Sequence, residues 1–338
     1  MRRLVMWAIM GIVTLGSATF VFANNNFIAG GGGLFAGFWE IRNSSGGLVT
    51  SGNLWAQRSG HCTARLANGN MFLAGGTASI GTWEIRNGSG GLVSNGNLWG
   101  SRNYGHSCSL LSNGNVLVVG GNSGSQTWEI RNSSGGFVSQ GTLWATRWNH
   151  NAINLSNGNV LISGGNGSAG TWEIRGVNGQ LVSGTGSTGI YLWSGRHGHC
   201  AIQLSNGNIY LIGGGPGYIS WELRNSSMAL ITANYLWASR DAHTCNKLPN
   251  GNVFIAGGSW SPGTWEIRNG SGALVSTGTL WANRSGHNAE LQSNTGNVFI
   301  TGGDGANGNW EIRNGSGGLV SSGNLSAQHP SGHTTTEY

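Results

Sequence analysis

Gly60-His61-Cys62-Thr63-Ala64-Arg65-Leu66-Ala67-Asn68-Gly69-Asn70-Met71-Phe72-Leu73-Ala74-Gly75-Gly76 is followed, after a short variable stretch, by Thr82-Trp83-Glu84-Ile85-Arg86-Asn87-Gly88-Ser89-Gly90. Cys62 to Leu66 reads as a short strand, and Asn68-Gly69-Asn70 is a hairpin signal, because Asn-Gly tolerates the positive φ that tight hairpin turns need. Met71 to Ala74 makes a second strand, closed by Gly75-Gly76. Thr82 to Arg86 makes a third, with Trp83 and Ile85 on one face and Glu84 and Arg86 on the other. After the Asn-Gly-Ser-Gly turn, Gly91 to Leu98 is a fourth strand, ending at Trp99. Glycine and asparagine recur every few residues, which excludes a helical reading. Four short antiparallel strands joined by tight turns make one blade of a β-propeller.

The unit is repeated. Trp-Glu-Ile-Arg, or Trp-Glu-Leu-Arg once, begins at Trp39, Trp83, Trp128, Trp172, Trp221, Trp265 and Trp310. The steps are 44 or 45 residues with one of 49, a period that marks a stacked structural unit. Seven units predict an all-β fold, a seven-bladed β-propeller of four-stranded antiparallel blades. Asn24-Asn25-Asn26-Phe27-Ile28-Ala29-Gly30 reads as the second strand of a unit, and Gly332-His333 to Tyr338 as a first strand. The C-terminal strand is therefore expected to complete the N-terminal blade, which would leave no open sheet edge between the two ends.

Residues 1–23 read as a secretory signal peptide: Arg2 and Arg3, an apolar run from Leu4 to Phe22, and a cleavage signal at Val21-Phe22-Ala23. Retention of that run as an anchor is the alternative. Residues 24–338 form the propeller, with a secreted or periplasmic location and no membrane insertion after cleavage. Glycine is 63 of 338 residues and charged residues only 8%. Thirteen of the 16 Trp nevertheless sit at fixed places in the repeat, seven before the repeat Glu and six at the fourth-strand end, and both sets are expected in the core. With one Lys and no basic cluster, nucleic-acid binding is not expected.

The unit resembles the kelch repeat. The shared elements are a loop Arg three or four residues before His, the run Ser109-Leu110-Leu111-Ser112-Asn113-Gly114-Asn115-Val116-Leu117-Val118-Val119-Gly120-Gly121, a Glu-containing third strand and a Gly-rich turn. The similarity is to secreted bacterial kelch proteins and to the propeller of galactose-oxidase-like proteins, over nearly all of residues 24–338. It departs where Glu-Ile-Arg-Asn replaces Glu-Leu-Tyr-Asp and Leu92 replaces a fourth-strand Trp. Gly-His and Trp-Glu also resemble the WD repeat, though the double Gly and the loop Arg favour kelch. Kelch propellers host enzymes and binding modules alike, so the resemblance implies architecture before activity.

Repetition separates scaffold from candidate function. Loops joining strands two to three and four to one share a face and vary, whereas the other turns hardly change. On the variable face lie Tyr104, Trp148, His197, Tyr218, Asp241 and Trp260, the ligand-binding candidates, since recognition concentrates in loops on a rigid scaffold. The insertion between Val182 and Leu192 breaks the symmetry near Trp148, His197 and Asp241. Seven His (His61, His106, His150, His199, His243, His287, His333) open the innermost strands. Such a ring is too wide to converge on one ion, so a repeated hydrogen bond that fixes the strand entry is expected and no metal. Loop Arg58, Arg102, Arg147, Arg196, Arg240 and Arg284, with Gln328 in the seventh blade, are expected mostly to pair with the repeat Glu. Cys62 with Cys108 and Cys200 with Cys245 fall one residue out of phase in neighbouring innermost strands. Their side chains therefore face each other, and two disulfides are expected in an oxidising compartment.

These features predict a monomeric binding module for a carbohydrate or protein ligand, with no catalytic residue and no cofactor. The alternative is a small-sugar enzyme. The resemblance implies either a copper oxidase, needing Tyr and His ligands and a Cys–Tyr cross-link, or a sialic-acid epimerase, for which Arg196, His197 and Asp241 would be the stand-ins.

Overall fold

The computed structural model describes residues 24–32, 36–123, 126–216, 219–306 and 308–338. The expected signal segment and Tyr218 lie outside these. Seven four-stranded antiparallel sheets are arranged in a ring. In the second blade the strands run Cys62–Arg65, Met71–Ala74, Thr82–Arg86 and Leu92–Asn97 from the axis outward. Each innermost strand touches the innermost strands of both neighbours, all the way round. The first blade is completed by His333–Glu337, which pairs with Asn26–Gly30 from Asn26↔Glu337 to Gly30↔His333. Two further backbone bonds join Asn25 and Tyr338.

The core is divided into seven clusters, one per gap between blades. In one of them Phe72, Ala74, Trp83 and Ile85 meet Val116 and Val118 of the next blade. The Trp of each Trp-Glu strand is buried. Trp83 lies between Gly96 of its own outer strand and Gly135 in the turn of the next blade, where any added Cβ would overlap the ring. Gly135 has φ +85, so that glycine supplies both the turn and the space. The last gap closes the same way, with Trp310 on Gly46. Burying each of these rings contributes on the order of 3 kcal/mol by area. In one gap the glycine is replaced by Met228, buried at φ 66 and packed in the Trp172 cluster.

One expectation about the core is corrected. The second set of Trp, at the fourth-strand ends, is exposed: Trp55, Trp99, Trp144, Trp193, Trp237 and Trp281 are 44–52% accessible. The first residue past each outer strand, Leu98 in the second blade, fills the inter-blade cluster, and the tryptophan that follows it is left half in solvent. The outer strand also carries a bulge in every blade, as between Ile85 and Arg86, which turns both Leu92 and Val93 to solvent.

Cys62 is bonded to Cys108 and Cys200 to Cys245, with Cα–Cα distances of 5.4 and 6.1 Å. Each bridge ties the first strands of neighbouring blades and closes a loop of 46 or 45 residues. Replacing one pair by serine is expected to cost about 2–4 kcal/mol. Urea titration of the Cys62→Ser/Cys108→Ser protein checks this, and an unchanged midpoint would contradict it.

Candidate functional site

The variable loops surround the channel mouth, and their shared face is confirmed by the bridges Ser59↔Thr77, Trp148↔Asn166 and Ser285↔Asp304. The residue before each ring His has a positive φ: Gly60, Gly105, Asn149, Gly198, Ala242, Gly286 and Gly332. This conformation turns the peptides tangentially. Consecutive blades are then linked head to tail by backbone bonds, including Asn149 N–H to the Gly105 carbonyl (2.9 Å), Gly198 to Asn149 (2.9 Å), Ala242 to Gly198 (3.0 Å) and Gly286 to Ala242 (2.8 Å). The mouth is thus a collar of backbone above the imidazole ring.

The imidazoles bond between blades. His150 Nε2 is 2.8 Å from Ser107 Oγ, His199 Nε2 is 2.9 Å from Ser163 Oγ, and His287 Nε2 is 2.9 Å from Thr244 Oγ1. His106 donates from Nε2 to the Ala74 carbonyl at 2.9 Å. Burial pushes the ring His down, His106 to about 4 and His150, His243 and His333 to about 3. They are neutral structural groups at pH 7. Among the described residues no three His, Cys, Asp or Glu are gathered to hold a metal ion.

The double glycine exists for these contacts. At Gly75 an added Cβ would meet the Arg102 carbonyl and the His106 ring. Both close in because the chain there runs at φ +62 with no side chain.

The six loop Arg are buried completely. Arg58 Nε is 2.9 Å from Glu84 Oε1 in the next blade, and its Nη1 donates to the carbonyls of Gly75 (2.8 Å) and Thr82 (3.0 Å). Arg147, Arg196, Arg240 and Arg284 pair equivalently at 3.0–3.3 Å, and Arg102 lies in the field of Glu129. Each Glu also holds its own strand Arg, as Glu84 holds Arg86 at 2.9 Å. These guanidiniums are therefore joints between blades. The seventh joint is corrected: its loop residue is His329, not Gln328. His329 is buried, bonds the Gly30 carbonyl at 2.7 Å through Nδ1, and offers its own carbonyl to Gly303 N–H at 3.0 Å. His329 stands four residues before His333, as Arg102 stands before His106, and Gln328 matches Gln57, the residue before Arg58.

With the repeat groups committed to the scaffold, the candidates separate. His197 and Asp241 line one cavity of about 570 Å³ at the mouth, with Asn149, Asn166 and Asn288. His197 is held by the two-residue pairing of Arg196–His197 with Gly215–Pro216. Asp241 caps Ala242 N–H at 2.9 Å. Burial raises its pKa, opposed by His197 and by that N–H. Gly198 packs so closely on Asp241 that a side chain there would collide with the carboxylate. Tyr104 and Trp260 stand away from this cavity, Trp260 being 63% accessible. Trp148 is half-buried with its ring against Gly167. Sequence reasoning had not singled out Asn149 and Asn166 of the lining, although Asn149 is the one non-glycine besides Ala242 in the positive-φ collar. A second cavity, of about 560 Å³, lies near Arg65 and Tyr338 and is lined mainly by the repeated turns.

No family model matches this chain, and no curated protein matches it. Solved structures do. A fungal alcohol oxidase of the AA5 family, in complex with copper, aligns with TM-score 0.62 and 16% identity over 79% of this chain and 63% of the other. This chain thus spans less than two thirds of that oxidase. A putative 6-phosphogluconolactonase from Bacteroides fragilis aligns with TM-score 0.68 and 12% identity over 94% and 99%. A functionally unknown protein from Desulfotomaculum acetoxidans aligns with TM-score 0.69 and 14% identity over 93% and 99%. The likeness is one of fold. The copper site such a likeness suggests does not fit these residues. All four cysteines are in disulfides, so none remains to cross-link a tyrosine, and the ring His Nε2 atoms named above are engaged between blades.

Proposed function

We propose that the chain is a secreted, kelch-type propeller that acts as a monomeric binding module, holding a glycan or protein ligand on its variable loop face. The observation that carries this reading is the separation of groups. The repeat Glu and Arg are engaged in joints between blades, while His197 and Asp241 share the mouth cavity with the ring imidazoles of His106, His150, His199, His243 and His287, and Tyr104 and Trp260 are exposed on the same face's loops. Such a site offers hydrogen bonds, one carboxylate and aromatic surface, a combination suited to recognition. The double glycine, loop Arg and Glu-containing strand support the kelch assignment, and the two disulfides fit an oxidising compartment.

A second reading keeps the His197–Asp241 pair as acid–base groups of a sugar-modifying enzyme, favoured by the raised pKa of Asp241 beside an imidazole. Both readings are tested together on residues 24–338. In a glycan array, His197→Ala/Asp241→Asn is expected to lower capture at least tenfold with Tm unchanged, and Tyr104→Ala/Trp260→Ala to do the same. Turnover of a captured sugar, lost with His197→Ala, would replace binding by catalysis. No capture and no turnover would end both.

A further inference from the structure

Half-exposed indole rings recur at the outer rim in six of the seven gaps, after each fourth strand: Trp55, Trp99, Trp144, Trp193, Trp237 and Trp281. The joint beneath them does not use their side chains. The main-chain N–H at this position always donates to the Glu of the next blade, at 2.9 Å for Trp55 to Glu84 and 2.9 Å for Trp193 to Glu222. In the seventh gap the position is Ser326, and its N–H makes the same bond to Glu40 at 2.8 Å. The joint is therefore built by the backbone, and serine serves it as well as tryptophan. Each of the six side chains leaves about half its surface in water, forgoing on the order of 2 kcal/mol that full burial would contribute.

The rings are not all splayed into solvent. Trp193 lies 6.3 Å from Tyr235, centroid to centroid. Trp144 lies against Gly186, where a Cβ would strike the indole nitrogen edge. Tyr235 is the last residue of the next blade's outer strand, and Gly186 takes that place in the next blade of the other gap. These two rings are thus supported by the neighbouring blade, Trp193 by a strand residue and Trp144 by the short helix Thr185–Thr188, and all six are about half exposed. At the same strand position the blades following Trp55, Trp99, Trp237 and Trp281 carry Asn97, Thr142, Thr279 and Asn324, an amide or hydroxyl at four of the six positions. Formal charge is withdrawn from this rim: the repeat Glu and Arg are all buried.

We infer that these six positions are weak stacking sites for neutral saccharides, arranged around the outer edge of the variable face and apart from the central mouth cavity. A pyranose has a C–H face that stacks on an indole and a hydroxyl edge that needs amide, hydroxyl or backbone partners. An uncharged platform of tryptophan with Asn or Thr beside it supplies both. A ring supported by the neighbouring blade offers a face, which stacking uses; insertion into a membrane requires a ring that projects. Repetition gives the ligand its class: one site binds a sugar unit feebly, and six bind a polymer by avidity, which raises apparent affinity by about 10²–10⁴ without new contacts.

The test uses residues 24–338 against three neutral polysaccharides (a β-1,3-glucan, a xylan and a galactomannan), polygalacturonate, and phosphatidylcholine vesicles. Affinity electrophoresis and tryptophan fluorescence give the readout. At least one neutral polymer is expected to bind. The sixfold Trp→Ser variant is expected to lose that binding at least a hundredfold, with a lowered Tm but a cooperative melt, since serine already occupies this position in the seventh gap. Should the sixfold variant fail to fold, Ser326→Trp adds a seventh site and is expected to strengthen binding, while Trp281→Ser alone weakens it about twofold. Neutral polymers that bind nothing, binding indifferent to these substitutions, or Trp-dependent binding to polygalacturonate or vesicles only, would each overturn the inference. Capture of an array ligand that is lost with His197→Ala should persist in the sixfold variant, so failure at the rim and failure at the mouth are told apart.

Discussion

Glu222→Ala is expected to destabilise the propeller by at least the upper end of the 3–5 kcal/mol typical of a broken buried ion pair. Glu222 accepts from Arg196 of the preceding loop at 3.0 Å, from Arg224 of its own strand at 2.6 Å, and from Trp193 N–H at 2.9 Å. Arg196 is fully buried and Arg224 nearly so. Removing the carboxylate leaves two guanidiniums with no counter-charge and no water, and burial already pulls the Arg196 pKa down. A domain with 5–15 kcal/mol in total has little margin for this. Glu40 is the internal control: it pairs with Arg42 at 2.8 Å, but its loop partner position is His329, so Glu40→Ala strands one guanidinium instead of two. Urea unfolding of both variants should rank Glu222→Ala as clearly the more damaging. Equal losses, or a loss below about 1 kcal/mol at Glu222, would show that carbonyls such as those of Gly213 and Ser220, which Arg196 Nη1 also engages at 2.7 and 2.9 Å, satisfy the cation unaided.

The second large effect is acid sensitivity. Six of the seven ring His are buried and His150 is half-buried, and their pKa values in the fold lie below the ordinary 6.5, four of them at about 3 to 4. Burial is the leading cause in each. A depressed folded pKa contributes stability that is present above about 6.5 and is lost as pH falls toward the folded value. Below pH 6 each histidine costs on the order of 1.4 kcal/mol per pH unit, so seven together cost on the order of 10. Glu290 has the opposite sign. Its pKa is raised to about 7 by burial and then by Glu337, so its contribution is lost as pH rises through 7. One such group does not offset seven. Thermal melts followed by circular dichroism should show Tm steady near pH 7–8, falling steeply below 6, with the ring unfolded by about pH 4. A flat Tm from pH 7 to 4 would mean that the imidazoles are reached by water or charge without cost.

The ring was legible because its signals are local and repeated. Seven Trp-Glu strands, the Asn-Gly turns, and a first strand left for the C-terminus each constrain a blade or the closure. The one-residue phase difference between Cys62 and Cys108 was readable for the same reason, since strand alternation converts spacing into direction. The rim tryptophans were not. Trp83 and Trp99 both occupy fixed repeat positions, and periodicity cannot tell a residue inside the inter-blade gap from one just beyond the sheet edge. Nor could a count of Glu against Arg reveal that guanidiniums are also held by main-chain carbonyls, as Arg58 is by Gly75 and Thr82. At the mouth, loop variability singled out His197 and Asp241, which share a cavity. It also singled out Trp148, whose ring rests on Gly167, because variability marks exposure and not direction.

The pairing of Asn26–Gly30 with His333–Glu337 has a consequence for how the ring can be cut. Asn25 and Tyr338 meet where the other blades have a hairpin, on the face opposite the variable loops. Blade order along the chain is therefore a matter of where the circle was opened, and a circular permutant opened at Asn113-Gly114-Asn115, with an Asn-Gly link between Tyr338 and Asn24, would trace the same toroid.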